Sequence, residues 1–303
     1  MDKTVNFTII IPHKNIPNLL ERLIKSVPER DDLEIIIVDD GSDEEVVKSI
    51  SKMVRKNMSV VSNQGRPGAG NARNYAIPMA KGKWVLFADS DDYFNVGFND
   101  FLNQYVGSDA DIVYFSANSI DLVTHEVSNR ADHIHEYMRQ YKEDKRIGEM
   151  ILRYKFSETV CKMIKREMIE KYSLRFDSTK IHEDVKFSIS AGHYAKKIAV
   201  VDDELYCIIS REGSLSRTQT EHAYLDELRV FSWWKKLILD NKVAIELPKF
   251  DYRLYQFTRH LYKNNRLFCT EYRILRDAGF SFSYITEQIV KYLWKSVGYK
   301  MGW

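Results

Sequence analysis

The N-terminal half of the chain alternates two hydrophobic patterns, and this alternation limits the fold more than any other property of the sequence. Residues 7–11 (FTIII) are a continuous apolar, β-branched run, the pattern of a strand covered on both faces. Pro17 then opens a helical pattern with Leu19, Leu20, Leu23, Ile24 and Val27 on one face, closed by Pro28. Residues 33–38 (LEIIIV) read as a second buried strand. A helix bearing Val46, Val47, Ile50, Met53 and Val54 follows, and Ser42 or Asp43 can cap it. Residues 59–62 read as a third short strand, 65–70 as a glycine-rich loop, 71–79 as a helix, 84–88 as a fourth strand and 111–116 as another. This succession predicts an α/β fold with a mostly parallel central sheet flanked by helices. Residues 118–180 are mainly helical and polar in pattern, and 196–209 read as one or two strands returning to the sheet. Beyond about residue 220 the pattern is helical, including 223–239 and 284–297.

In sheets of this kind ligands gather beyond the carboxyl ends of the strands. The polar clusters fall there: residues 13–15 after the first strand, 39–42 after the second and 89–92 after the fourth. In the last cluster Asp89, Asp91 and Asp92 crowd the end of an apolar strand, where they repel one another and lose solvation unless a cation or ligand compensates. Hard carboxylate oxygens suit Mg²⁺ or Mn²⁺. An isolated D-x-D is more often a solvated acidic turn; three strand ends delivering polar groups to one rim argue for a site.

Lys+Arg 45 against Asp+Glu 43 leaves a net charge of +2, which implies no nucleic-acid partner. Cys161, Cys207 and Cys269 are widely spaced and form no C-x-x-C pair, which argues against a disulfide framework or a zinc site and fits a reducing compartment. The first apolar run stops at Pro12, so no signal segment is expected. No stretch approaches the roughly 18 apolar residues of a spanning helix. The expectation is a cytoplasmic protein.

The motifs FTIIIPHKN, EIIIVDDGSD, NQGRPGAGNARNYA, WVLFADSDDYF, HEDVKFS and ISREGSLS occur in an order and spacing that resembles the family 2 glycosyltransferases of the GT-A fold, over roughly residues 5–217. That resemblance implies a catalytic domain over residues 1–218, with nucleotide-sugar binding in 1–117 and the acceptor and catalytic part in 118–218. It leaves 219–303 as a helical C-terminal region. By the same resemblance Asp40 accepts a hydrogen bond from the nucleotide base and Pro12 lines the base pocket. Lys14 stands where many relatives carry an aromatic residue; its stem or ammonium can cover a ring face. Gly65, Gly68 and Gly70 would let the backbone approach a nucleotide closely. Arg73 would shape the donor pocket and contact ribose or phosphate, the bland alternative being a helix-start arginine paired with an acid.

Asp89, Ser90 and Asp91 match the family's D-x-D. The resemblance makes Asp91 the direct ligand of Mn²⁺ or Mg²⁺ and gives Asp89 the ribose or the metal's water shell; Asp92 orients Asp91 or caps the next helix. Glu183 and Asp184 correspond to the E-D pair that supplies the base, Asp184 taking the proton and Glu183 positioning the acceptor. Without that context, acids in a first helical turn are ordinary dipole partners. One base and a metal-held leaving group imply direct displacement with inversion. Arg211 or Arg217 would close over the diphosphate, or form a solvated basic loop. His182 and His193 are taken as structural or acceptor-lining.

The implied function is transfer of a hexosyl or N-acetylhexosaminyl group from a nucleotide-sugar, UDP-linked by expectation, to a hydroxyl of a glycan or lipid-linked acceptor in bacterial surface-polysaccharide synthesis. A sugar nucleotidyltransferase would need a glycine-rich, Arg- and Lys-bearing first loop, which residues 11–15 (IPHKN) are not. A non-catalytic glycan- or partner-binding protein would not need Asp40, Asp89, Asp91 and Asp184 together. A hydrolase lacks a credible pair of carboxylates around a glycosidic bond. The aromatic, basic helices of the last third suit peripheral contact with the inner face of the cell membrane, or packing on the catalytic domain or a partner subunit such as a second copy, the reading favoured here.

Overall fold

The computed structural model describes residues 4–179, 181–211 and 220–301. The chain divides into two compact units, Met1–Thr179 with Glu183–Ser214, and Lys180–His182 with Leu215–Trp303.

The first unit is built on one eight-stranded sheet of order β3-β2-β1-β4-β7-β6-β8-β5. The strands are β1 Phe7–His13, β2 Leu33–Asp39, β3 Met58–Ser62, β4 Trp84–Phe87, β5 Tyr93–Phe94, β6 Ile112–Asp121, β7 Lys162–Lys165 and β8 Ile198–Ser210. Seven residues of β1 are buried in succession, because parallel neighbours on both edges and helices on both faces leave no face for water. Chain order runs outward from β1 to β2 and β3, then jumps to β4 on the other side of β1. The carboxyl ends of β1 and β4 therefore meet at a topological switch point, the usual place for a ligand. Helices α1 (Pro17–Ser26), α2 (Glu44–Ser51), α3 (Ala69–Ala76) and α4 (Phe98–Tyr105) connect these strands; α5 (Asp132–Glu143), α6 (Lys145–Tyr154), α7 (Arg166–Lys171) and α8 (Val185–Tyr194) complete the unit.

The sheet is mixed. β7 runs antiparallel to both β4 and β6, and β5 antiparallel to β8. The polar, helix-patterned stretch from 118 to 180 hides this strand, because the sequence KMIK has only two apolar residues and a charge at each end. Tertiary burial makes it a strand: Met163 and Ile164 are fully enclosed. β6 extends five residues past its predicted end, to Asp121, and pairs in parallel with β8 across a bulge near Ser116.

The second unit is helical: α9 (Glu221–Asp240), α10 (Pro248–Lys263), α11 (Asn265–Asp277) and α12 (Phe282–Met301). Thr220 caps α9 by accepting from the Ala223 amide, and Asn264 caps α11 by accepting from Leu267. Leu228, Phe231, Phe250, Leu254, Phe257, Leu275 and Ile285 are buried. Among the described residues no helix is long and apolar enough to cross a membrane. Phe282, Val290 and Trp294 of α12 are exposed.

Candidate active site

The D-S-D-D turn after β4 is fixed from all sides. The Asp89 amide donates to the Tyr206 hydroxyl (2.9 Å), and the Asp92 amide closes the turn on the Asp89 carbonyl (3.0 Å). Asp92 is buried and accepts from the Ile209 amide of β8 (2.8 Å). Burial pushes its carboxyl well above the usual range, and the neighbouring Asp89 and Asp91 push it further. Asp92 therefore stitches the turn to β8 rather than capping a helix. Ser90 is buried within the turn.

Asp89 and Asp91 point to opposite counter-ions. Arg73 of α3 donates to Asp89 Oδ1 (2.5 Å), while Arg211 Nε donates to Asp91 Oδ2 (2.6 Å). Arg22 of α1 holds the backbone of the turn through the Asp91 carbonyl (2.6 Å) and lies 5.0 Å from the centre of the Tyr93 ring. The charges of Asp89 and Asp91 are thus met within the protein by Arg73 and Arg211, while Arg22, which falls in no motif, holds the backbone of the turn. Arg217 lies outside the described residues.

Arg73 is the joint of the site. Its other guanidinium nitrogen, Nη1, reaches Glu183 Oε1 (3.2 Å), and its carbon sits 5.3 Å from the Phe176 ring centre. Burial alone would ease its proton off, but Asp89, Glu183 and Asp184 outweigh burial and raise its pKa further. Arg73, which the resemblance assigns to the donor pocket, straps the Asp89 carboxylate to the E-D pair. The approach of these elements depends on Gly70. A Cβ there would stand 2.8 Å from both the Asp177 carbonyl oxygen and Glu183 Cγ, so the glycine serves contact with residues 177–183.

Asp184 occupies the N-cap position of α8, yet its carboxylate caps nothing. It accepts no side-chain hydrogen bond from the described residues. Burial raises its pKa to about 8, with Glu183, Glu158 and Asp89 adding to the rise and Arg73 opposing it. His193 is engaged with the Tyr154 hydroxyl (3.1 Å), and burial lowers its pKa, the pattern of a packed histidine. His182 belongs to the helical unit, its ring 5.2 Å from Phe231.

At the end of β2, Asp40 ties down the glycine-rich loop. Its two oxygens accept from Asn63 Nδ2 (2.6 Å) and from the Gly68 amide (2.7 Å). Of Gly65, Gly68 and Gly70, only Gly68 has a positive φ (+129°). Pro12 is buried at the end of β1 and Lys14 is exposed just beyond it. Ser42 accepts from the Asn15 amide (2.9 Å), which locks the loops after β1 and β2 together instead of capping α2. The buried His13, the first residue of the polar cluster after β1, accepts the Ile16 amide (3.2 Å) and starts α1; burial keeps its pKa low.

Among the described residues no group of three His, Cys, Asp or Glu side chains forms a metal cage. The donor set fits a different arrangement. Asp91 offers a rim carboxylate whose present counter-ion is an arginine, and Mg²⁺ or Mn²⁺ can take one such carboxylate and complete its shell with phosphate oxygens and water.

Residues 8–173 match the model of the family described as "Glycosyl transferase family 2". Glycosyltransferase GlyA of Streptococcus pneumoniae serotype 4 (strain TIGR4) is 27% identical over 241 residues, spanning 73% of this chain and 33% of that protein. Glycosyltransferase GlyG of the same strain is 25% identical over 245 residues, 74% of this chain and 78% of GlyG. The chain thus spans only a third of GlyA but most of GlyG. The crystal structure of residues 1–349 of Staphylococcus aureus TarS with UDP-GlcNAc superposes with a TM-score of 0.68 at 21% identity, covering 98% of this chain and 92% of that one. TarS, named as a poly(ribitol-phosphate) β-N-acetylglucosaminyltransferase, is 34% identical over a 99-residue stretch, 30% of this chain and 17% of TarS.

Proposed function

The chain belongs to glycosyl transferase family 2, and from that membership we propose an inverting transferase that moves a sugar from a UDP-sugar to a hydroxyl of a cell-wall or surface polysaccharide. One observation carries the reading: Arg73 joins the β4 carboxylate Asp89 to the E-D pair, so a donor held at the D-S-D turn meets the base at one rim. The UDP-GlcNAc complex of TarS supports UDP as the carrier and an N-acetylhexosaminyl group as the first donor to test.

In this mechanism Asp40 and Pro12 receive the base and Lys14 covers it, while Asp89 and Ser90 meet the ribose side. Mn²⁺ or Mg²⁺, held by Asp91 with Asp89 nearby, would neutralise charge on the leaving diphosphate. Arg211 lets go of Asp91 when the donor arrives and turns to the diphosphate. Asp184 removes the proton of the acceptor hydroxyl as its oxygen bonds to the anomeric carbon and the carbon–phosphate oxygen bond breaks on the opposite face. No described side chain donates to the Asp184 carboxylate, which suits this task by leaving lone pairs for the incoming hydroxyl. Glu183, fixed by Arg73, keeps the helix start in register with the donor. Residues 1–218 would carry this chemistry, and 219–303 would form a helical region that meets a second copy or the inner face of the membrane.

The test is calorimetry and thermal shift with UDP, UDP-GlcNAc and GDP, with and without Mn²⁺. Metal-dependent stabilisation by the uridine ligands is expected. No stabilisation by any nucleotide defeats the donor-site reading, and preference for GDP reassigns the base.

A further inference from the structure

Glu158 reaches the rim through the strand that the sequence conceals. Because β7 is antiparallel to β4, its N-terminal end and the residues before it lie beside the carboxyl end of β4, next to the D-S-D turn. The loop before β7 is braced by the buried Lys162. Its ammonium donates to the Phe156 carbonyl (2.7 Å) and the Glu158 carbonyl, and sits 4.1 Å from the Phe156 ring centre. Ser188, one turn into α8 from Asp184, donates its hydroxyl to the same Glu158 carbonyl (3.1 Å). The backbone of Glu158 is therefore tied to the helix that begins at Asp184.

Among the described residues the side chain has an ion-pair contact on one side only. Glu158 Oε1 lies 3.0 Å from His133 Nε2 of α5. Its Oε2 is buried with no hydrogen-bond partner among the described residues, and so is the hydroxyl of the adjacent Thr159, which is 2% exposed. Buried polar atoms left open in this way are destabilising unless something fills them. Burial pushes the Glu158 carboxyl up, but His133 and Lys162 outweigh it and keep the pKa below the usual value, so the group is an anion.

We propose that Glu158 and Thr159 form an acceptor subsite beside Asp184, which binds a second hydroxyl of a neutral, polyhydroxylated acceptor, with His133 as the positioning residue for Glu158. The proposal rests on the glycosyltransferase reading. An open carboxylate oxygen demands an O–H or N–H donor and repels phosphate or carboxylate. Asp184 is faced by the anions Glu183, Glu158 and Asp89 and the cations Arg73 and Lys162, so a further negative group on the acceptor would meet an already acidic wall. A diol matches it. One hydroxyl gives its proton to Asp184 during attack, and its neighbour stays hydrogen-bonded to Glu158, which sets which oxygen attacks.

The experiment is saturation-transfer NMR on the full chain with UDP and Mn²⁺, using ribitol, methyl β-D-glucopyranoside, methyl β-D-galactopyranoside and, as the anionic counterpart, ribitol 5-phosphate. At least one neutral polyol is expected to receive saturation, with affinity roughly tenfold weaker in E158Q and weaker in T159V, as the loss of one hydrogen bond requires. UDP affinity by calorimetry should stay within about twofold in both variants, since the donor is assigned to Asp40, Asp89 and Asp91. T159V keeps the shape of threonine and leaves the Glu158–His133 pair intact, so the two variants test the subsite separately. Equal signals in wild type and both variants overturn the proposal. So does a wild type that binds UDP but none of the neutral compounds, or one that prefers ribitol 5-phosphate. Failure of the wild type to bind UDP is a different result, which removes the donor site on which the subsite rests.

Discussion

Two carboxylates with raised pKa values, one in each unit, show how the same chemistry is used in opposite ways. Glu271 in the helical unit is fully buried and saturated: it accepts from the Tyr224 hydroxyl and lies 3.0 Å from His260 Nδ1. Asp184 in the α/β unit also has its pKa raised by desolvation, yet it accepts nothing from a described side chain. Both pKa values rise with desolvation as the first cause. What separates them is the supply of donors. A carboxylate surrounded by donors fastens helices together; one set beside other anions, with no described side chain donating to it, is a group kept ready for a proton.

The sharpest way to break this contrast is to neutralise each acid. Asp184→Asn should lower transfer about 10²- to 10⁴-fold, the usual worth of a general base, with UDP affinity within about twofold. A variant that loses UDP binding as well would move Asp184 to the donor side and dissolve the distinction between the two halves of the rim. Glu271→Gln should do the converse. It should lower stability to urea by about 1–2 kcal/mol, because Tyr224 and His260 lose a charged acceptor, and leave UDP affinity unchanged. Altered UDP affinity in that variant would mean that the helical unit takes part in donor binding.

Arg73 lets the comparison be made inside the α/β unit. Replacement by Met leaves Asp89 and Glu183 facing each other without their shared cation. The expected loss is about 2–3 kcal/mol in urea unfolding, below that of a fully buried pair because Asp89 keeps contact with water. UDP affinity should fall with it, since Asp89 loses its orientation. Unchanged stability would show that the strap is incidental and that Gly70 alone sets the approach of the two elements.

Much of this was readable from residue patterns, and the omissions share a cause. The alternation of FTIII and LEIIIV with amphipathic helices announces the parallel half, because continuous apolar runs and 3.6-residue periodicity are local signals. The D-S-D-D turn and the E-D pair announce charge without compensation. Their actual counter-ions come from far along the chain, Arg73 sixteen residues from Asp89 and Arg211 one hundred and twenty from Asp91, and no local pattern carries such pairings. β7 stayed hidden for the same reason, and Glu158, Thr159 and Lys162 stayed hidden with it. A buried lysine between apolar residues was the available sign: in CKMIK, Lys162 sits where a surface lysine would break the run.

A smaller measurement sharpens the contrast through pH. Asp184 acts as base only when deprotonated, so kcat/KM, which reports the free enzyme, should rise with pH through about 8. Like charge is part of the reason that the value is high: Glu183 and Glu158 disfavour a further anion beside them. Glu158→Gln removes one of these charges without changing the volume of the side chain. The acid limb should therefore move to lower pH in that variant, even as acceptor binding weakens. A limb that stays in place would mean that Glu158 acts on the acceptor alone. A limb that moves up would place a partner cation, Lys162 or His133, as the larger influence on the base.

The smallest expected effect lies at the loop after β2, where the carboxylate resembles Glu271 more than Asp184. Both oxygens of Asp40 are already satisfied, by Asn63 and by the Gly68 amide. If this acid contacts the base of the nucleotide, it does so from a loop that its own hydrogen bonds have prepared. Asn63→Ala removes one of them and should weaken UDP binding by about fivefold, about 1 kcal/mol, without moving the acid limb of the pH profile. A much larger loss would show that Asn63 touches the nucleotide directly. No loss would show that Gly68 holds Asp40 well enough alone, leaving the Asn63 amide to serve its second bond, to the Arg66 carbonyl, in shaping the glycine-rich loop.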